Sequence, residues 1–427
     1  MKITIMHPAD QICITMKRIY ARQLTTLSGG NLSIVDERGV MWVSPSGIDK
    51  ASLRSEDIVQ VFPDGSFEGK YKPTSEYLIH WEIYKVRPDI KAILHAHPPA
   101  MTSMSTLHQV PDTTLYPLAH QLNDDAAIAV YALPGSMELA KRVAEVFEKG
   151  SDTAILENHG VFLSSANDIF EAYGRFDELE MNAFIQMNAH VFGRPNGMDV
   201  EMIAKFLESD NGQVAAQQSS SCTVEEKMQR KELSKTARRA YENRLFTAVN
   251  GVVSARLGED CFLISPAKRD NELLDPEDFV KVTGGAYEGN RLPDGAASLV
   301  RELYRRQPDI NTAIIASPPY TMMFAVTGEE YKVNFIPECY GVLFSCRMYP
   351  PAELLEKPSR IVEEARTDAP FALVGNYGLV LSASTLHSSY DMLEVCENTA
   401  KSIHMARMTD QEIQWMTDQQ LKEMDEK

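Results

Sequence analysis

Two histidines that are two residues apart, His95 and His97, stand in the segment AILHAHPPAM at residues 92–101. The small apolar residues around them predict a buried strand, in which alternate side chains point to one face. Two imidazoles on one face form half of a metal site, although such a pair alone is more often a pair of packed histidines. His159, in the tight turn ENHG, is the candidate third ligand. Three neutral imidazoles with an open coordination position are typical of a catalytic zinc site rather than a structural one.

A carboxylate and several glycine- or hydroxyl-rich turns accompany the histidines. Glu76 follows two hydroxyl residues in the predicted first turn of a helix, where the helix dipole helps to keep a carboxylate ionised, so it is the candidate acid/base residue. The turns are SGGNLS at 28–33, SPSG at 44–47 and PTSE at 73–76. Glycine backbone amides and hydroxyls at a helix N-terminus can bind phosphate. Each turn alone is more often a helix cap, but together, beside a metal site, they favour an anion pocket.

The chain carries this pattern twice. The segment VSPSGIDKASLRSEDIVQV at 43–61 matches ISPAKRDNELLDPEDFVKV at 264–282, and further segments match in the same order. A stretch rich in Ser, Gln and Gly at 209–226 predicts a linker between the copies. We therefore expect two homologous domains, one at residues 1–215 and one at 216–427.

The second copy lacks the residues that could do chemistry. Ile315, Ser317 and Tyr377 stand where the first copy has its three histidines, and Ala296 stands in place of Glu76. Independent packing residues would not be lost together, whereas the ligands of one ion would be. An isoleucine and a tyrosine hold no hard or borderline cation, so we expect the second domain to be metal-free and inert, with Ile315 filling the site.

Helices and strands mix along each copy without a regular alternation. In the first copy, the segment 8–26 predicts an N-terminal helix closed by Gly29 and Gly30, and a second helix is predicted to end at Pro88. Short apolar strands surround them, and a long amphipathic helix follows residue 168. We expect an α/β fold of the layered α/β/α kind, in which each repeat has a largely antiparallel central sheet covered by helices.

The composition limits the partners. With 60 acidic against 42 basic residues, the net charge of -18 repels nucleic acid and anionic lipid. No apolar run approaches the roughly 18 residues of a membrane span, and the first residues lack a secretory signal. The six cysteines have neither disulfide nor zinc-knuckle spacing. We expect a cytoplasmic protein without nucleic acid or membrane partners.

The segments GGNLS, SPSG, KPTSE, HAHPP and ENHG, in this order and spacing, resemble the class II aldolase/adducin family. The resemblance covers residues 10–208 and continues in degraded form over 228–405. It implies a metal-dependent aldolase, with Zn²⁺ or another divalent transition metal as cofactor. Such an enzyme cleaves a keto-sugar phosphate to dihydroxyacetone phosphate and an aldehyde, without a lysine nucleophile.

The resemblance also implies roles for individual residues. His95, His97 and His159 would bind the metal, and Glu76 would be the acid/base residue. Tyr116 falls where the fuculose-phosphate aldolase type places a proton-donating tyrosine that reaches the site of a neighbouring subunit. The residues that match the family's phosphate-binding loops are Gly30, Asn31, Ser46, Gly47, Thr74 and Ser75.

Other activities within the family stay open. Epimerases, a dehydratase and decarboxylases of this family use a similar three-histidine site, and Glu76 favours the aldolase or dehydratase side. An adducin-like interaction protein without catalysis is the alternative from another class. Family members usually form four-fold rings, so we expect the tandem chain to form a homodimer that imitates such a ring as a pseudo-tetramer.

Overall fold

The structure, a computed structural model, describes residues 6–210, 215–217, 222–268, 270–289, 291–364, 371–409 and 411–426. It divides into two compact units. The first unit comprises Met1–Asp112 and Leu122–Phe184, and the second comprises Thr113–Gln121 and Ile185–Lys427. The predicted linker lies partly outside the described residues, and the division of the two repeats at residue 215 stays a prediction.

The first unit is built on an eight-stranded sheet. Its strands are β1 (Asn31–Val35), β2 (Met41–Val43), β3 (Val59–Val61), β4 (Phe67–Glu68), β5 (Ala92–Ala96), β6 (Ala127–Ala129), β7 (Thr153–Leu156) and β8 (Gly160–Ser165). Their order across the sheet is β4-β3-β2-β1-β5-β8-β7-β6, and all neighbours pair antiparallel except β6 and β7. The strand β5 therefore lies inside the sheet, between β1 and β8.

Helices cover this sheet on both faces. Up to residue 210 the helices are α1 (Pro8–Ala21), α2 (Tyr77–Val86), α3 (Pro99–Thr106), α4 (Pro117–Asn123), α5 (Met137–Glu148), α6 (Ile169–Asn188) and α7 (Val200–Asp210). Of these, α7 and most of α4 belong to the second unit. On one face α2 and α5 bury Ile83 and Val143 against the strands, and α1 contacts β1 and β2. All five residues of β5 are buried, as a strand covered on both faces requires.

The helix α1 ends earlier than its sequence pattern predicts. Gln23, with a φ of 58°, takes the chain out of the helix in the left-handed conformation. The prediction that Gly29 and Gly30 close this helix is therefore wrong. Gly30, with a φ of 72°, serves a different purpose, because a Cβ there would lie 2.8 Å from the backbone oxygen of His95. Only a glycine lets this loop approach β5 so closely.

The second unit is built on a nine-stranded sheet. Its strands are β9 (Ala215–Gln217), β10 (Val252–Gly258), β11 (Cys261–Ile264), β12 (Val280–Thr283), β13 (Ala286–Glu288), β14 (Thr312–Ala316), β15 (Arg347–Tyr349), β16 (Phe371–Val374) and β17 (Gly378–Ala383). The order is β15-β16-β17-β14-β10-β11-β12-β13-β9, with parallel pairing only at its two ends, β15 with β16 and β13 with β9.

The remaining helices belong to the second unit. They are α8 (Val224–Glu242), α9 (Ala297–Arg306), α10 (Pro319–Thr327), α11 (Pro337–Leu343), α12 (Pro351–Glu356), α13 (Pro358–Glu364), α14 (Leu386–Arg407) and α15 (Asp418–Asp425). The two mainly antiparallel sheets with their helices confirm the predicted tandem α/β fold. Among the helices of the described residues, none is both long and apolar enough to cross a membrane.

Candidate active site

Three histidines converge at one end of β5 and β8. His95 lies in β5, His97 follows this strand, and His159 lies in the turn between β7 and β8. One ring nitrogen from each histidine lies within 4.8 Å of the other two. In the part of the chain that the structure describes, no other three His, Cys, Asp or Glu residues are grouped in this way. The structure therefore brings the predicted ligand set together.

The turn that carries His159 depends on the residues on either side of it. Asn158 has a φ of 55°, a left-handed conformation that asparagine tolerates better than most residues. At Gly160, a Cβ would lie 2.6 Å from Cδ2 of His97 and 2.7 Å from the backbone oxygen of Ala96. The turn thus packs directly against the His97 ring, which fixes two of the three imidazoles relative to each other.

The His95 ring has a defined tautomer. Its Nδ1 lies 2.9 Å from the carbonyl oxygen of Val161, so Nδ1 carries the proton and Nε2 presents a lone pair. Phe162, which is opposite His95 in the sheet, stacks on the ring with 4.1 Å between centroids. Among the described residues, the buried Nε2 atoms of His95 and His97 have no hydrogen-bond partner.

These nitrogens fit a borderline divalent cation. A buried lone pair without a partner is costly, and a metal ion satisfies it. Ions such as Zn²⁺ bind imidazole nitrogen at about 2.0–2.1 Å, so the nitrogens would have to move closer together around one ion. A donor set of three imidazoles and one nearby carboxylate suits zinc and similar transition metals better than Mg²⁺ or Ca²⁺.

Glu76 lies directly against the histidines, at the N-cap of α2, one position before the first turn in which it was predicted. Its Oε2 is 3.2 Å from Nε2 of His95, and its Oε1 is 3.3 Å from Nε2 of His159. Burial alone would raise the pKa of the Glu76 carboxyl. The adjacent imidazoles of His95 and His159 and a hydrogen bond from Asn31 lower this pKa below its ordinary value. A bound cation would keep the carboxylate ionised for the same reason.

Behind Glu76 runs a buried chain of side chains that the sequence motifs did not reveal. The Asn31 amide nitrogen donates to Oε2 of Glu76 at 2.9 Å, and Nε2 of His80 lies 2.5 Å from the Asn31 amide oxygen. The Ser33 hydroxyl oxygen lies 2.7 Å from Nδ1 of His80 and 2.9 Å from the Tyr84 hydroxyl. Burial lowers the pKa of His80 to about 3, so its imidazole is neutral. A histidine inside a helix gave no signal of its own in the sequence.

The three glycine- or hydroxyl-rich turns lie side by side. Leu32 and Ser44 exchange hydrogen bonds at 3.0 and 3.1 Å, which joins the first turn to the second. The Ser44 carbonyl accepts from the Thr74 amide at 3.2 Å, and the Ser46 amide donates to the Lys72 carbonyl at 3.1 Å, which joins the second turn to the third. The predicted phosphate-binding turns are thus gathered next to the N-terminus of α2.

Most of the corresponding positions of the second unit are filled by apolar side chains, and Ser317, the counterpart of His97, bonds the Tyr377 carbonyl. Ile315 lies in β14 as His95 lies in β5, and it is 7% exposed. It belongs to a buried apolar cluster that contains the counterparts of Asn31, Glu76 and His80, with the counterpart of His159 packed against it. These four residues are Val252, Ala296, Val300 and Tyr377. The expectation that Ile315 fills the site is confirmed.

The turn at the start of α9 also differs in charge from its counterpart. Thr74 follows an isolated β-bridge between two prolines, and Asp294 follows the equivalent bridge in the second unit. The Asp294 carboxylate accepts a hydrogen bond from the Ala296 amide at 3.0 Å. A carboxylate at this place would repel a phosphate group, so this turn does not fit the phosphate-binding role that is predicted for its counterpart.

Tyr116 belongs to the second unit, within the segment Thr113–Gln121, and is 2% exposed. Its predicted role concerns the site of a neighbouring copy, so it stays a prediction.

Comparisons with known proteins agree with the motifs. The sequence model of the Class II Aldolase and Adducin N-terminal domain matches residues 10–187 and 231–404. The 5-methylthioribulose-1-phosphate/5-deoxyribulose-1-phosphate aldolase of Rhodospirillum rubrum is 35% identical over 146 residues, 33% of this chain and 65% of that protein. The chain thus spans just under two thirds of that relative's length.

Two further relatives match over nearly their whole length. The 5-deoxy-D-ribulose 1-phosphate aldolase of Bacillus thuringiensis serovar kurstaki is 31% identical over 206 residues, 47% of this chain and 94% of that protein. A solved structure of an L-fuculose 1-phosphate aldolase is 30% identical, covers 48% of this chain and 96% of its own, and has a TM-score of 0.43.

Proposed function

Because the chain belongs to the class II aldolase and adducin family through both matched regions, we propose that its first unit is a metal-dependent aldolase. Its substrate is a ketose 1-phosphate, which it cleaves to dihydroxyacetone phosphate and an aldehyde. The observation that carries this proposal is the convergence of His95, His97 and His159 with Glu76 in contact with two of them. The relatives are named for 1-phosphates of different ketoses, so the shared phosphorylated end is the part that this chain would recognise.

The proposed roles follow from the chemistry of the side chains. The three histidines hold Zn²⁺ or a similar ion, which when bound polarises a carbonyl oxygen. Glu76 gives and takes the proton at the carbon next to that carbonyl, since it is the one carboxylate in contact with the ligands among the described residues. The residues proposed for the phosphate are Gly30, Asn31, Ser46, Gly47, Thr74 and Ser75.

The exposure of these residues supports such a phosphate site. Ser46, Gly47 and Ser75 are exposed, so the two serine hydroxyls and the backbone of Gly47 are accessible to a ligand. Thr74 is buried and its backbone bonds hold the neighbouring turns together. The Asn31 amide is already engaged by Glu76 and His80, so its part in this site is the smallest of the six.

The test is aldol synthesis by the metal-loaded protein. Dihydroxyacetone phosphate is offered with acetaldehyde, methylthioacetaldehyde or lactaldehyde, the fragments of the three ketoses for which the relatives are named. We expect a ketose 1-phosphate with at least one aldehyde, and none with His95→Ala. Epimerisation, dehydration or decarboxylation of a sugar phosphate without carbon–carbon cleavage would assign another activity of the family. A protein that binds no metal would favour an adducin-like interaction role.

We also propose a cytoplasmic homodimer in which two tandem chains form a pseudo-tetrameric ring, with Tyr116 acting across a subunit boundary. Light scattering at micromolar concentration tests the assembly. A mass near the 47.8 kDa of one chain would contradict it.

A further inference from the structure

The buried row of hydrogen bonds behind Glu76 has one direction, because the chemistry of each side chain decides which atom donates and which accepts. An ionised Glu76 only accepts hydrogen bonds, so the Asn31 amide nitrogen donates to it and the amide oxygen faces His80. This oxygen only accepts, so His80 carries its proton on Nε2. Nδ1 of His80 then accepts from the Ser33 hydroxyl, which accepts in turn from the Tyr84 hydroxyl. Every donor therefore points along the chain towards Glu76.

The second unit offers a comparison within the same chain. The hydroxyl oxygens of Ser254 and Tyr304 lie 3.0 Å apart, as those of Ser33 and Tyr84 lie 2.9 Å apart. This serine–tyrosine contact is therefore kept where no chemistry is expected, and its role is in folding. The counterparts of Asn31, His80 and Glu76 are Val252, Val300 and Ala296. The asparagine–histidine half of the chain is thus absent where the carboxylate is absent.

We propose that His80 is a positioning residue of the first unit, which acts through Asn31 to hold the Glu76 carboxylate in its working place. The proposal rests on the function proposed above for Glu76. Among the described residues, His80 makes no hydrogen bond to the candidate metal ligands, and its own bonds go to Asn31 and Ser33. It is fully buried between α2 and the sheet, and Phe162 lies edge-on to its ring at 5.3 Å between centroids.

The physical reason is the acceptor on the far side of the Asn31 amide. Without the Nε2–H of His80, the Asn31 oxygen is buried without a donor, and only the bond to Glu76 still orients the amide. The amide can then shift or turn towards another donor, and each such move weakens its bond to Glu76. Glu76 would keep its charge but lose its fixed position. A displacement of about 1 Å of a reacting group costs on the order of 10²-fold in rate.

Three substitutions separate positioning from packing. His80→Leu fills the space without a donor. His80→Gln places an amide nitrogen near the position of Nε2, whereas His80→Asn reaches only the position of Nδ1 and cannot bond Asn31. We expect all three proteins to bind metal as wild type does. The kcat of aldol cleavage should fall about 10- to 100-fold in the Leu and Asn variants, with KM nearly unchanged, and should recover in the Gln variant.

Two further measurements do not require an aldehyde. The exchange of the carbon-bound proton of dihydroxyacetone phosphate with deuterated solvent reports on proton transfer alone, and it should fall in parallel with kcat. Nitrogen-15 NMR of labelled histidine should show the wild-type His80 with a protonated Nε2 and an unprotonated Nδ1. In His80→Leu, the side-chain amide resonance of Asn31 should lose its hydrogen-bonded shift. A matched control is Tyr304→Phe, which removes the equivalent hydroxyl contact in the second unit and should leave kcat unchanged.

Several results would overturn the positioning role. Wild-type kcat and exchange in His80→Leu would do so, as would equal losses in the Gln and Asn variants, or a proton on Nδ1 of His80. A wild-type protein that binds metal but neither cleaves nor exchanges would instead remove the proposed function. In that case the tautomer of His80 and the Asn31 resonance decide by themselves whether the link to Glu76 exists.

Discussion

Glu76 places one carboxylate oxygen 3.2 Å from Nε2 of His95, the nitrogen that would also bind a metal ion. A cation bound by the lone pair of this nitrogen would lie next to the Glu76 oxygen, so it would relieve the repulsion between these two acceptors. The carboxylate is then available for a substrate proton while Asn31 still holds it.

Removal of one ligand should abolish metal binding. His95→Ala leaves two imidazoles, too few to hold a catalytic ion against the solvent. Elemental analysis after dialysis should find the metal in wild type and not in the variant, and circular dichroism should show both folded. The exposed His387 of the second unit is the matched control, since His387→Ala should keep the metal. Full metal content in His95→Ala would contradict the ligand assignment.

Glu76→Gln should separate binding from turnover. The amide fills the same volume and still meets Asn31, but it cannot take a proton. We expect full metal content and a loss of kcat of roughly 10²-fold or more, the scale of a missing general acid/base. Steady-state kinetics with the metal-loaded variant check this. Turnover within a few-fold of wild type would move the acid/base role to another group.

Gly160→Ala should weaken metal binding without touching a ligand. The added Cβ would lie 2.6 Å from Cδ2 of His97, so the ring must move. Gly378 is the counterpart in β17, where a Cβ would lie 2.3 Å from the backbone oxygen of Ala316. Gly378→Ala should cost stability but leave the metal affinity as in wild type. A competition titration with a metal-binding dye measures both, and equal affinities would contradict the steric role of Gly160.

His80 should make stability depend on pH. Burial lowers its pKa to about 3. In the folded protein His80 therefore stays unprotonated over a pH range in which the unfolded chain protonates it, below about pH 6.5. The contribution of His80 is complete above that pH and is lost as the pH falls from 6.5 towards 3, by about 1.4 kcal/mol per pH unit. The stability difference between wild type and His80→Leu should thus shrink by about 1.4 kcal/mol from pH 7.5 to 5.5 in urea unfolding. A constant difference would show that His80 does not titrate this way.

The whole chain should bind about one metal ion. Ile315 and its apolar neighbours offer no metal ligand at the corresponding positions of the second unit, and Asp294 would oppose a phosphate group there. Elemental analysis of the purified protein gives the ratio directly. Two ions per chain, with one retained in His95→Ala, would show that the second unit holds a site of its own.

The candidate ligands could be predicted because the chain contains two copies that can be compared with each other. His95, His97 and His159 occur in one copy and are replaced together in the other, which separates chemistry from packing without any structure. The same reasoning would have found His80, since Val300 replaces it in the second copy. It was missed because a histidine within a helix fits ordinary packing, and its bonds to Asn31 and Ser33 cross from helix to sheet.

The irregular order of predicted helices and strands indicated the mainly antiparallel sheets, but the sequence pattern did not predict where α1 ends. A left-handed Gln23 ends this helix, although a glycine is the favoured residue for that conformation and Gly29 and Gly30 stood nearby. The energetic difference between such alternatives is about 1–2 kcal/mol, which tertiary contacts easily exceed. Residue 30 must be a glycine because its loop packs closely against β5, and this contact between segments distant in sequence could not be read from the local pattern.

The second unit is assembled from both repeats, since Thr113–Gln121 and the chain from Ile185 onward belong to it. Phe192, from the first repeat by sequence, packs against Phe324 with 4.2 Å between ring centroids. Cutting the chain between the repeats would therefore strip these segments of the surface on which they fold. Point substitutions can disarm the second copy one residue at a time, but its deletion would remove part of the core in a single step. A duplicated chain of this kind can lose the site residues of one copy by substitution, but it cannot lose the whole copy without losing part of a core that both repeats build.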